Sequence, residues 1–177
     1  MVRRRWVCCL AMSDRHPNVI HESDVAWAER GNGKKFTPRA KRLGAAAGAK
    51  RLGCGLFELP PGGCSFPFHY HLANEEGLYV LEGEGTMRLG EDKVKIRAGD
   101  YVALPVGPAH AHQLINTSTA PLKYLAISTM QEPEVAIYPD STKLGILGGV
   151  ASVDGQGQPL RQVVRLGESI AYFDGKE

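Results

Sequence analysis

The stretch GCSFPFHYHLANEEGLYVLEG, residues 63–83, decides how the chain is read. His69 and His71 lie two apart, and side chains two apart on a β-strand leave the same face, so both imidazoles can reach one metal ion. Glu76 then supplies a charged oxygen. Imidazole with carboxylate suits first-row divalent metals such as Fe, Mn, Ni, Zn or Cu, and the affinity order alone does not choose among them. An isolated pair of this kind is more often structural, but here further histidines return downstream, His110 and His112, within GPAHAHQLIN, residues 107–116.

Gly63, five residues, His69, one residue, His71, four residues, Glu76, six residues and Gly83 together resemble the first motif of the cupin superfamily. The second motif opens equally well with Gly99, five residues, Pro105, one residue and Gly107, and then departs from the pattern. Counted forward from Gly107, the motif histidine falls on His110; counted back from Asn116, it falls on His112. Because Gln113 to Asn116 continue directly from His112, a two-residue insertion is easier to absorb in the loop before it. The resemblance therefore implies one divalent metal held by His69, His71, Glu76 and His112, with His110 in a rim or hydrogen-bonding role.

From Lys50 to about Met130 the chain is similar to small single-domain bacterial cupins, including a sugar-phosphate-isomerase-like group. The resemblance implies an all-β fold, the double-stranded β-helix or jelly-roll barrel. It also implies a metal-dependent protein that binds a small oxygen-rich molecule, a sugar derivative, carboxylate or enediol, with isomerase, decarboxylase or dioxygenase chemistry. The alternative is a cupin that binds or senses a ligand without turnover. Beyond the ligand set no catalytic residue is singled out, although Tyr70, Tyr79, His110 and Gln113 are near in the chain.

The pattern of residues supports such a barrel independently. Strands are expected at 52–59, 65–71, 77–82, 85–89, 93–97, 101–104, 112–116 and 122–128, with turns at Gly90-Glu91-Asp92, Ala98-Gly99-Asp100 and Asn116 to Pro121. Eight short strands at this spacing indicate a sandwich or barrel. Lys93, Lys95 and Arg97 alternate with Val94 and Ile96, which places the apolar pair toward the core. Phe66, Phe68 and Tyr70 have the opposite parity to the histidines.

A chain of 177 residues fits one domain with a sizeable core, read as a basic, mostly irregular arm (1–50), a barrel (51–130) and a tail (131–177). One helical turn is expected near Asp24 to Arg30. Ile137, Tyr138, Leu144, Ile146, Leu147, Val163, Val164, Ile170, Tyr172 and Phe173 make the tail apolar, so it is expected to pack on the barrel or on a partner in a homodimer. Through Arg51 the chain carries twelve Lys or Arg against four Asp or Glu, and nine against fifteen after it. No aromatic-basic platform or helix-turn-helix pattern accompanies the basic arm, so nucleic acid is not an expected partner. The arm instead is expected to be solvated or to pair with the acidic barrel, with the sharper alternative that Arg39, Lys41 or Arg42 reaches the barrel mouth to meet an anion.

No apolar run reaches the roughly 18 residues of a membrane span, and the short apolar stretch after Arg3-Arg4-Arg5 argues against a signal peptide. Residues 1–11 are read as an extension ahead of Met12. The four cysteines match neither a zinc module nor a disulfide scaffold, and Cys64 is expected to pack in the core, which agrees with a reducing, cytoplasmic setting.

Overall fold

The computed structural model describes residues 15–148, 160–167 and 169–175, so the expectation for residues 1–11 lies outside the described residues. The first half runs β1 (Ala28–Glu29), β2 (Arg39–Lys41), α1 (Leu43–Ala46), β3 (Leu52–Leu59), β4 (Tyr70–His71), β5 (Glu76–Glu82) and β6 (Glu84–Leu89). The second half adds β7 (Asp92–Arg97), β8 (Tyr101–Leu104), β9 (His112–Ile115), β10 (Leu122–Thr129), β11 (Glu134–Tyr138), β12 (Lys143–Leu147) and β13 (Arg161–Arg165). The fold is all-β, a double-stranded β-helix.

One layer is a six-stranded sheet in the order β1-β2-β3-β10-β5-β8. The facing layer consists of two smaller sheets, β7-β6-β9 and β13-β12-β11-β4, joined through antiparallel bridges at Cys64 with Ile115 and His69 with His112. The histidine-bearing segment thus lies in the middle of the second layer, while Glu76 reaches across from the first. Leu78 and Val80 of β5, Leu122 and Tyr124 of β10, Leu114 of β9, Met87 of β6 and Leu59 of β3 fill the space between them. Each fully buried aliphatic side chain there is worth about 1.5–3 kcal/mol. Asn116 is wholly buried yet satisfied: its amide donates to the carbonyls of Leu59 and Ala120, both at 2.8 Å, and pins the exit of β9 to the strands beside it.

Several local expectations are corrected. The strand expected from Ser65 shrinks to Tyr70–His71, because Pro67 has no amide hydrogen to give a ladder. Parity fails there too, and Phe66 turns inward to meet the Phe57 ring edge-on at 6.0 Å. On β7, an edge strand, only Ile96 is buried, and Val94 is 45% exposed. The arm remains largely irregular, but its helical turns fall at Glu22–Asp24 and Leu43–Ala46 rather than near Asp24 to Arg30, and β1 and β2 extend the large sheet. In the tail, β11 hydrogen-bonds to β4 and Ala136 is buried, whereas Ile170, Tyr172 and Phe173 stand 81%, 80% and 74% exposed. Cys64 packs in the core, and burial pushes the Cys54 and Cys64 thiols up. No helix among the described residues is long and apolar enough to cross a membrane.

Candidate metal centre and barrel cavity

His69 and His112 face each other across an antiparallel bridge, His71 follows on β4, and Glu76 begins β5 in the opposite layer. One ligating atom from each of these four residues lies within 4.8 Å of the others. Glu76 Oε2 is 3.5 Å from His71 Nε2 and 3.4 Å from His112 Nε2. These are the four residues that the motif spacing pointed to.

The tautomers follow from the neighbours. His69 Nδ1 donates to the Pro67 carbonyl at 2.7 Å and His112 Nδ1 to the His110 carbonyl at 3.0 Å. A carbonyl only accepts, so the proton sits on Nδ1 and the Nε2 lone pair is left for a cation. His110 itself is exposed at the end of a short 3-10 turn, Pro108–His110, that absorbs the two extra residues of the motif. Gly107 opens that turn at φ 103°, a conformation that favours glycine, and its amide donates to the His71 carbonyl at 2.8 Å. His110 therefore contributes its backbone oxygen, while its imidazole stays outside the cluster.

His71 carries the clearest sign of a missing partner. Both its ring nitrogens are buried without a hydrogen bond, Nε2 directed at Glu76 and Nδ1 lying 3.6 Å from Oε1 of Glu134. Glu134 is only 4% exposed and starts β11, the strand that pairs with β4. Burial alone would lower the His71 pKa, but Glu76 and Glu134 together outweigh it and raise the net value. His69 goes the other way: burial first, then the neighbouring imidazoles of His112 and His71, depress it to about 4. Glu76 is held below the usual carboxylate range because contacts with His112 and His71 exceed the opposing, larger single effect of burial. Three imidazoles, one of them with buried ring nitrogens that make no hydrogen bond, and an ionised carboxylate fit a divalent transition metal, and this group could hold one.

Glu76 also lines a cavity of about 260 Å³ inside the barrel. Its wall includes Gly53 and Gly55 of β3 and Ala126 and Ser128 of β10, which have little or no side chain, together with Leu52, Phe57 and Met130. At its mouth stand Arg30, Arg42 and Lys50. Of the arm cations expected there, only Arg42 arrives. Arg39 pairs with Glu58 at 2.6 Å, Lys41 with Glu22, and both cations lie over the Trp27 ring. Tyr79 is 40% exposed, Gln113 donates to the Phe66 carbonyl at 2.6 Å, and Tyr70 lines a surface groove with Phe68, so none of them faces the cavity.

Residues 55–128 match the family model described as Cupin domain. That segment is similar to a cupin barrel, and structural neighbours in the cupin superfamily share the fold. A sugar phosphate isomerase of the cupin superfamily from Silicibacter pomeroyi superposes with a TM-score of 0.74 at 25% identity, over 88% of this chain and 98% of that one. A predicted oxalate decarboxylase from Thermotoga maritima gives 0.56 at 27% identity, over 64% of this chain and 99% of that one. Quercetin 2,3-dioxygenase of Bacillus subtilis is 31% identical over 62 residues, 35% of this chain and 18% of that protein. The chain spans at most 53% of the length of the curated relatives it matches.

Proposed function

We propose that this protein holds one divalent transition metal on His69, His71, Glu76 and His112 and uses it to bind and convert a small oxygen-rich molecule in the barrel. The observation that carries the proposal is the buried, unpartnered Nε2 of His71 beside an ionised Glu76, with the His69 and His112 tautomers fixed so that their lone pairs are available. When bound, such a metal supplies Lewis acidity or, as Fe(II), the capacity to activate dioxygen. The chain supplies the rest. Pro67 and His110 carbonyls orient two imidazoles, Glu134 lies 3.6 Å from the third, and Phe57 gives the cavity an apolar side. A volume of about 260 Å³ is slightly below the roughly 300–1,000 Å³ of common ligand pockets, which favours a molecule of a few carbons. Isomerisation, decarboxylation and dioxygenation of a sugar derivative, hydroxy acid or enediol are the reactions consistent with this space and with the kinds of relatives found.

Protein purified without chelator should contain close to one metal per chain by elemental analysis, and metal-loaded protein should turn over a member of a panel of small sugars, acids and diketones. Absence of metal under all loading conditions sinks the proposal. Metal with saturable ligand binding and no turnover would convert it to the binding or sensing reading.

A further inference from the structure

We infer that the mouth of the barrel cavity is an anion subsite, in which Arg30, Arg42 and Lys50 receive a phosphate or carboxylate group of the same small molecule whose other end lies at Glu76. The inference rests on the proposed function for its inner end and adds the chemical class of the ligand. Its basis is a contrast among the arm's cations. Arg39 and Lys41 are committed to the carboxylates of Glu58 and Glu22, while Arg30, Arg42 and Lys50, which line the cavity, have no carboxylate partner among the described residues. Among the described residues Glu76 is the one carboxylate in the cavity lining, so three cations share the cavity with a single anion that a bound metal would neutralise.

The arm is built into this position. β2 pairs with β3 through Ala40 with Phe57 and Lys41 with Leu56, which carries Arg42 to the rim. Gly44 of α1 is buried so closely on β3 that an added Cβ would come within 2.8 Å of the Cys54 amide nitrogen. Arg30 N–H donates to the Pro38 carbonyl at 2.9 Å, and Met130 N–H to the Arg51 carbonyl at 3.0 Å, so the segments bearing Arg30 and Lys50 are each tied to the sheet. Two guanidinium groups and an ammonium lining one cavity are the side chains that bind phosphate and carboxylate, and cations without carboxylate partners at a partly enclosed site draw anions from solution.

Calorimetric titration of the metal-loaded full chain with inorganic phosphate and, separately, with malonate at low ionic strength tests the inference. The variant Arg30→Gln/Arg42→Gln/Lys50→Gln is compared with Lys93→Gln/Lys95→Gln/Arg97→Gln, which removes the same charge from exposed positions on β7. The expected result is saturable binding that weakens at least tenfold in the first variant only, with metal content and circular dichroism unchanged in both; the tighter of the two probes tells phosphate from carboxylate. Equal weakening in the two variants, persistence of binding in the first, or no binding of either probe to wild type overturns the inference. Failure of the metal reading registers separately, as absence of metal from the wild-type protein.

Discussion

His69 and His112 exchange both main-chain hydrogen bonds, His69 N–H to His112 O at 3.1 Å and His112 N–H to His69 O at 2.8 Å, and their rings lie 4.5 Å apart. Two imidazoles are thereby held side by side by the backbone pairing. Their spacing is set by folding and needs no metal to create it.

This pairing favours His112 over His110 as the ligand expected from the second motif. His112→Ala, like His69→Ala and His71→Ala, is expected to lose most bound metal, while His110→Ala keeps it because only the His110 carbonyl touches the cluster. Contacts that merely orient a ligand are worth roughly 10- to 100-fold in metal affinity, and loss of the ligand itself costs more. Metal-to-protein ratios of the four variants give the answer; retention in His112→Ala with loss in His110→Ala would reverse the assignment.

Most of the barrel was legible because alternation and turn chemistry agree there: β3 and β8 fall on the expected residues, and β5, β6, β7, β9 and β10 differ by one residue at an end. What was hidden had no local signal. Glu134 lies far along the chain from His71 and is one carboxylate among many until β11 pairs with β4. The strands of the arm are two and three residues long, too short for any alternation to register. Arg30 and Lys50 come to line one cavity only when β1 and β2 join the edge of the large sheet and α1 packs on β3.

Metal should add stability without being required for the fold, since the core of Leu59, Val80, Leu114 and Leu122 is independent of the four ligands. Chelation is expected to lower the melting temperature, by a stabilisation loss of about 2.7 kcal/mol where free metal had been about 100 times Kd. The β-type circular dichroism should persist below the new midpoint. Collapse to a random-coil spectrum would contradict this.

A two-fold dimer is expected from the apolar surface that remains. Tyr79, Leu81 and Tyr101 stand 40%, 40% and 63% exposed on the outer face of the large sheet, and Ile170, Tyr172 and Phe173 are more exposed still. Closed two-fold symmetry is the commonest way for a soluble chain to cover such surface. Light scattering at micromolar concentration measures it, and a stable monomer mass would refute the expectation.

The seat of the arm is testable through Gly44. Gly44→Val puts a branched side chain against the Cys54 amide and the Leu52 carbonyl, neither of which can swing away as a side-chain tip would. Overpacking of this kind costs about 1–3 kcal/mol. The variant should melt earlier and bind phosphate more weakly while keeping its metal, because none of the four ligands lies on α1. Unchanged melting and unchanged phosphate binding would show that the arm is not held there.

The opposite pKa shifts of His69 and His71 predict the acid behaviour of chelator-treated protein. His69 is neutral in the fold down to about pH 4, whereas its unfolded value is 6.5, so between these limits the unfolded chain takes up a proton that the folded chain refuses. That contribution lowers stability as pH falls from 6.5 to 4. His71, raised above 6.5, contributes stability that is present below 6.5 and lost as pH rises through its folded value. Protonated His71 carries one N–H toward Glu76 and one toward Glu134, and a metal at Nε2 would displace the first, so metal uptake by the protonated form should release a proton. Glu134→Gln removes one of the two charges that keep this proton in place. The variant is expected to release fewer protons per metal bound in weakly buffered solution, and its His71 should titrate at lower pH by NMR. Identical proton release from wild type and Glu134→Gln would mean that Glu134 does not act on His71.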